Sequence, residues 1–482
     1  MVDALSCFSF VSSLVGLLPS AIGWPLHLAE ATEAEIEPLV LAGVLLSLIT
    51  VYLAAKVGGE LCARVNLPPV LGELLGGVVV GVSALHLIVF PEGAGETGSV
   101  LMRLVETTSG MGAEGLLSVF RGESEVVSIL AELGVIILLF EIGLESDLKE
   151  LIRVGPQAAI VAVIGVVLPF ALGTTGLIAL FNIATVPAVF AGAALTATSI
   201  GITAKVLAEL QKLSSKEGQI IIGAAVLDDV LGIIVLAVVA SLAKTGEIEI
   251  TNVAILIVSA AAFLVGAIFI GRLLSPLFVG LVNQMKTRGE LIITSLVFAF
   301  VLSYIAATIQ LEAILGAFAA GLILAETPKH KELEEQIIPI ADMLVPIFFV
   351  TVGARTDVSV LNPLDPANRE GLIIASFLVV VAIIGKVVTG FAIFGQPGIN
   401  RLAIGVGMIP RGEVGLVFAG VGSASGALSE SLEAAIIVMV ILTTFVAPPL
   451  LRIVFKDSDA VPPEEEVEIP STPSSEEQPS AS

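Results

Sequence analysis

Histidine, cysteine and tryptophan are nearly absent: three His, two Cys and one Trp occur among 482 residues. That scarcity removes whole classes of chemistry. His27, His86 and His330 are scattered with no HExxH pair, so they read as interfacial or loop residues rather than metal ligands. Cys7 and Cys62 lie in or beside apolar stretches without metal-ligand spacing, which leaves no basis for a disulfide framework. No glycine-rich nucleotide-binding loop occurs, and no cofactor is expected. Charge is scarce too. Only 14% of residues are Asp, Glu, Lys or Arg, 56% are hydrophobic, and mean hydropathy is +1.04. A soluble domain carries about 25% charged residues. This chain is expected in a membrane, in contact with lipid.

What charge there is lies mostly at the margins. The net charge is −23, with eight acids after Lys456, five in residues 1–37 and six between Pro91 and Glu125. These are read as aqueous segments, and nothing in them resembles a basic nucleic-acid footprint. Between them run apolar blocks such as Ile220–Val239 and Ile373–Val388. At ~1.5 Å per helical residue, each covers most or all of a ~30 Å hydrocarbon core.

Thirteen segments look able to cross: 38–57, 69–90, 126–146, 151–173, 186–207, 217–243, 251–279, 289–308, 311–326, 337–353, 370–395, 401–422 and 430–455. Lys and Arg counts test this division. Fifteen of the 22 basic residues fall in loops on one side and five on the other, while Lys386 and Arg411 lie inside segments. Such a bias places the richer side, and the C-terminus, in the cytoplasm. Residues 4–22 form a further apolar stretch, readable as a signal peptide, a peripheral helix or another span. Residues 456–482, rich in Glu, Ser and Pro, are expected to be a disordered tail.

An ionisable group near the bilayer centre costs at least ~2.5–3.5 kcal/mol, so each one needs a reason. Asp228 and Asp229 sit side by side about eleven residues into the 217–243 segment, or ~17 Å from its cytoplasmic end. Adjacent helical residues point ~100° apart, so the two acids face different neighbours. Lys386 lies about nine residues, or ~14 Å, from the cytoplasmic end of the 370–395 segment, at nearly the same depth, and is expected to pair with one aspartate. The other then faces a water-filled cavity. Two segments also look broken. One holds Thr196, Thr198, Ser199, Gly201 and Thr203; the other holds Gly405, Gly407, Pro410, Arg411, Gly412, Glu413 and Gly415. Breaks of this kind belong inside the protein or on a cavity, because lipid cannot satisfy freed backbone groups. Arg411 and Glu413 are candidates to pair with each other.

The broken segments occupy matching places. With 251–279 as a linker, six segments precede it and six follow, and the second half enters from the opposite side. The expected architecture is all-α and polytopic, with about 13 transmembrane helices in two inverted six-helix repeats and crossed discontinuous helices.

Leu195-Thr196-Ala197-Thr198-Ser199, Leu227-Asp228-Asp229, Lys386 and Pro410-Arg411-Gly412-Glu413-Val414-Gly415, with Phe140–Glu145 and Phe348–Gly353, occur in this order. Over roughly residues 38–455 the chain resembles the monovalent cation:proton antiporter superfamily, in its electrogenic two-aspartate branch. The resemblance implies that Asp229 binds Na⁺ or a proton and that Asp228 forms a breakable ion pair with Lys386. Thr196 and Thr198 would line the site, with Asp228 and Thr198 as further candidate Na⁺ ligands. It also implies a homodimer. The dimerisation helices would be about 38–146 and 289–353, and the core helices about 151–243 and 370–455 would move against them. A bacterial cell membrane or an internal energy-transducing membrane such as the thylakoid would house it.

Sodium and protons would then compete for one carboxylate, and no enzymatic reaction is expected. A K⁺/H⁺ antiporter is the nearest alternative. A cation channel needs a continuous polar pore, and an intramembrane aspartyl protease needs its acids on two helices; this pattern favours neither.

Overall fold

The computed structural model describes residues 33–91, 99–109, 113–245, 250–362, 364, 368–393 and 398–459. The 4–22 stretch and the tail after Asp459 lie outside them. The described residues form helices and connections, with no strand. The helices are α1 (Glu33–Arg64), α2 (Pro69–Val80), α3 (Val100–Ser109), α4 (Ala113–Glu145), α5 (Leu148–Arg153), α6 (Gly155–Phe181), α7 (Thr185–Ala194) and α8 (Ile200–Glu209). They continue with α9 (Lys216–Thr245), α10 (Ile250–Gln284), α11 (Glu290–Thr308), α12 (Ala313–Ala325) and α13 (His330–Ala354). After a 3₁₀ turn come α14 (Asn368–Phe391), α15 (Arg401–Gly407), α16 (Glu413–Ala424) and α17 (Glu430–Asp459).

Eight of these helices are long and apolar enough to cross a membrane by length and composition, and five apolar helical stretches of 10–17 residues accompany them. The 69–90 segment is helical only to Val80. At Gly81 the backbone becomes extended, and Val82 donates its amide to Ala354 O at 3.1 Å, which diverts the chain from the helical ladder. α4 begins thirteen residues before the expected start at 126, at Ala113. Glu123, read from sequence as lying in an aqueous segment, is therefore helical and buried at 4% exposure. Ser47 Oγ of α1 donates to its Oε1 at 2.5 Å, which supplies the partner a buried carboxyl requires.

The helices divide into two bundles. α1, α2, α4, α11, α12 and α13 pack on one another; α6, α7, α8, α9 and α14 to α17 form the second group. α10 touches both, packing on α12 and on α9, while α8 lies against α4 and α2. Close packing in the first bundle relies on glycine. A Cβ at Gly72 would stand 2.1 Å from Gly58 O, so α1 and α2 meet backbone to backbone. This is how helices associate where lipid competes for apolar contacts. Outward faces are apolar: every fourth residue of α1 from Leu41 to Leu61 is exposed, as are Phe269 and Leu273 of α10. In water such a surface would drive aggregation, whereas hydrocarbon solvates it.

Candidate functional site

α9 carries Asp228 and Asp229 into the middle of the second bundle, where they are 0% and 3% exposed. Opposite them α14 brings Lys386, also 0% exposed, with Nζ 3.0 Å from Asp228 Oδ2. The ammonium fits because α6 has no side chain at Gly165: a Cβ there would lie 3.2 Å from Lys386 Nζ. Thr389 Oγ1 donates back to Lys386 O at 2.6 Å, one turn along α14.

Beside this pair two helices are interrupted and bonded to each other. α7 ends at Ala194 and α8 starts at Ile200; α15 ends at Gly407 and α16 starts at Glu413. Pro410 lacks an amide hydrogen and helps to end α15, and the flanking glycines add backbone freedom. Ser199 N donates to Pro410 O at 2.9 Å, and Thr198 Oγ1 donates to Met408 O at 3.2 Å. Thr203 Oγ1 donates to Gly407 O at 3.0 Å, and Arg411 Nη1 donates to Ala197 O. Each break thus supplies donors for the carbonyls freed by the other, as buried backbone requires. Thr196 turns its hydroxyl to Ala193 O at 2.7 Å. In donating their single hydrogens, Thr196 and Thr198 keep oxygen lone pairs that can face a cation.

The structure therefore gathers Asp228, Lys386, Thr198, Ser199, Pro410 and Arg411 around one crossing, with Asp229 and Thr196 buried on the same elements. The Glu413 side chain, and with it the expected Arg411–Glu413 pair, lies outside the described residues. Asp228 is the carboxylate whose charge bears on both Lys386 and Arg411, so two acids and two bases share this buried volume. Ionised together they sum to zero, the condition under which buried charge is tolerable. Gly165, Thr389 and Thr444, whose hydroxyl bonds Arg411 O, escaped the sequence reading. A glycine or threonine in an apolar run carries no sign of what faces it.

Where α4, α8 and α12 end, a cavity of about 850 Å³ is lined by Glu145, Asp147, Lys149, Glu326, His330 and Glu334, among others. Neither aspartate of the pair lines it.

Crossed broken helices around a buried acid pair, in an all-helical membrane architecture, define a secondary-transporter class of protein. The chain belongs to the transmembrane sodium/hydrogen exchanger family, whose model matches residues 46–457. Over 435 residues it is 70% identical to the high-affinity Na⁺/H⁺ antiporter NhaS3 of Synechocystis sp., covering 90% of this chain and 94% of that protein. The Na⁺/H⁺-K⁺ antiporter GerN of Bacillus cereus is 32% identical over 414 residues, covering 85% and 95%. The solved structure of the sodium proton antiporter MjNhaP1 from Methanocaldococcus jannaschii shares the fold, with a TM-score of 0.57 at 15% identity. That match covers 87% of this chain and 99% of the other.

Proposed function

We propose that this protein exchanges Na⁺ for H⁺ across a membrane by alternating access, with Asp229 as the carboxylate that takes either ion. The observation that carries the reading is the buried acid pair itself. Asp228 is engaged by Lys386 at 3.0 Å, and Asp229, the next residue of α9 and 3% exposed, is set ~100° further around the helix. Sodium is a hard cation and suits carboxylate, hydroxyl and carbonyl oxygen, the donor types that Asp229, Thr196, Thr198 and the unwound 195–199 segment offer. Asp228 serves as a breakable partner of Lys386 and as a possible further ligand.

Na⁺ arriving at Asp229 displaces its proton, and release of a second from the Asp228–Lys386 pair leaves one net charge moved per cycle. At ~100 mV one charge is worth ~2.3 kcal/mol, enough to drive exchange uphill. A reversal potential matching one-for-one exchange would remove the second proton from this scheme.

The second bundle, about 151–243 and 370–455, moves as the core against the first, about 38–146 and 289–353, with 251–279 as linker. The packing division supports this, with α8 lying against helices of both groups. The two halves are inverted repeats, the protein works as a homodimer, and the basic-loop bias puts the C-terminus in the cytoplasm. A bacterial cell membrane or a thylakoid-type membrane fits the cyanobacterial relative.

The test is a dequenching assay in everted vesicles from an antiporter-deficient host, with a ΔpH imposed before Na⁺, Li⁺ or K⁺ is added. Dequenching by Na⁺ that disappears in Asp229→Asn is expected. Because one relative exchanges K⁺ as well, a K⁺-only response would move the assignment to K⁺/H⁺ exchange. Silence to every cation with protein present in the membrane would overturn the reading.

A further inference from the structure

Among the described residues Arg411 is the largest fully buried side chain, and the ion-exchange scheme gives it no task. A guanidinium brought to 0% exposure is among the costliest groups to place inside a membrane, so its retention calls for a specific interaction. Its Nη1 donates to Ala197 O, the carbonyl midway along the five-residue unwound segment 195–199. Its own carbonyl is tied from the other side by Thr444 Oγ1 of α17. Next to it Pro410 O accepts the Ser199 amide at 2.9 Å. Arg411 therefore joins the two breaks at their centre, and both ends of that link are anchored.

The position also suits the charge. α7 ends at Ala194, and the carboxyl end of a helix presents unpaired carbonyls that carry partial negative charge. A permanently charged planar group bonded to Ala197 O, three residues past that end, places a positive charge near it without proton exchange. It also determines which oxygens remain for an ion. With Ala197 O occupied, the adjoining residues Thr196 and Thr198 are held in one backbone arrangement, and Thr198 is fixed further through Met408 O at 3.2 Å.

We propose that Arg411 is a positioning residue that presets the oxygen cage for Na⁺: it removes Ala197 O from the coordinating set and fixes Thr196 and Thr198 around Asp229. Its own Nε and Nη2, like Asp228 Oδ1, have no protein partner among the described residues, so the guanidinium keeps donors for water between itself and Asp228. Arg411 touches no ion in this scheme; it acts through the carbonyl it holds. The inference rests on the Na⁺/H⁺ reading above and deepens it. Discrimination between Na⁺ and the larger K⁺ follows from a cage that cannot relax, and loosening the Ala197 carbonyl relaxes it.

The experiment measures the apparent KM and maximal rate for Na⁺, Li⁺ and K⁺ in everted vesicles bearing wild type, Arg411→Lys and Arg411→Met. Wild type and Asp229→Asn run in parallel, so failure of the antiport reading shows in those two controls and failure of this proposal only in the Arg411 variants. Expected for Arg411→Met is a tenfold or greater rise in the Na⁺ KM, with a smaller rise for K⁺. At saturating Na⁺ at least half the maximal rate is retained. Arg411→Lys, which keeps a donor for Ala197 O, is expected to fall between the two. Na⁺-dependent thermal stabilisation of the purified protein in detergent should weaken in the same order. A fall in maximal rate with KM values and the Na⁺/K⁺ ratio unchanged would overturn the proposal, as would loss of folded protein in both variants. Either would make Arg411 a structural tie without influence on the cage.

Discussion

Glu209 Oε1 accepts the amide hydrogen of Val70 at 3.1 Å, so the last residue of α8 holds the first turn of α2. The sequence explains the acceptor's use. α2 opens with Pro68-Pro69, no side chain of its own caps it, and an anion is favoured at an uncapped helix start. α8 belongs to the second bundle and α2 to the first, so this bond bridges the two groups.

If the bundles move against each other, that bond exists in one orientation and breaks in the other. Removing it should shift the balance by about 1 kcal/mol, roughly fivefold in population. The readout is labelling of Ser214→Cys, a residue lining the cavity where α8 ends, by a membrane-impermeant maleimide. Glu209→Ala should change the labelling rate several-fold, whereas Glu209→Gln, which keeps the acceptor oxygen, should not. Equal labelling in all three proteins would mean the bond does not restrain the motion.

Much of this was legible from the residues. An acid pair and a lysine in otherwise apolar runs force buried compensation, and Asp228–Lys386 is the contact found. Gly and Pro inside spans announce backbone that must be satisfied internally, and the two breaks bond to each other. Other features were silent for a physical reason. Apolar periodicity disappears in a segment surrounded by protein on one side and lipid on the other, so the early start of α4 and the early end of α2 left no trace. Long-range partners such as Glu209 and Val70 depend on how helices stack, and spacing along one chain carries no record of it.

The buried pair makes a prediction about stability. Lys386→Met strips Asp228 of its 3.0 Å partner and leaves a carboxylate at 0% exposure with the Arg411 charge as its remaining basic compensation. Breaking one side of a buried pair costs about 3–5 kcal/mol, while replacing both partners is often close to neutral. Thermal unfolding in detergent should therefore rank Lys386→Met well below wild type. Asp228→Asn combined with Lys386→Met should recover most of the loss. A double variant as unstable as the single one would show that the lysine stabilises through something other than Asp228.

Gly165 tests the pocket for the ammonium from the opposite wall. An added Cβ would lie 3.2 Å from Lys386 Nζ, tight enough to push the charge by a few tenths of an ångström. Gly165→Ala should slow Na⁺-driven dequenching several-fold, and Gly165→Val should nearly abolish it. Gly155, on the same helix, has nothing within 4 Å of its hypothetical Cβ. Gly155→Ala should run at the wild-type rate, and a matching loss there would assign the effect to α6 as a whole rather than to the lysine.

Glu123 offers a contrast, a buried carboxyl far from the site. Ser47 Oγ bonds its Oε1 at 2.5 Å, Ser124 Oγ reaches Oε2 at 3.4 Å, and a Cβ at Gly43 would meet its Cγ at 3.2 Å. The carboxyl therefore ties α4 to α1 within the first bundle. Ser47→Ala would leave Oε1 unsatisfied at a cost of about 1–3 kcal/mol. Glu123→Gln keeps an acceptor for Ser47 in nearly the same shape and should cost little. Both proteins should keep the wild-type KM for Na⁺, so thermal unfolding separates them while transport does not. A raised KM in Glu123→Gln, with stability intact, would mean that this carboxyl reaches the transport cycle and that the first bundle is more than a frame for the second.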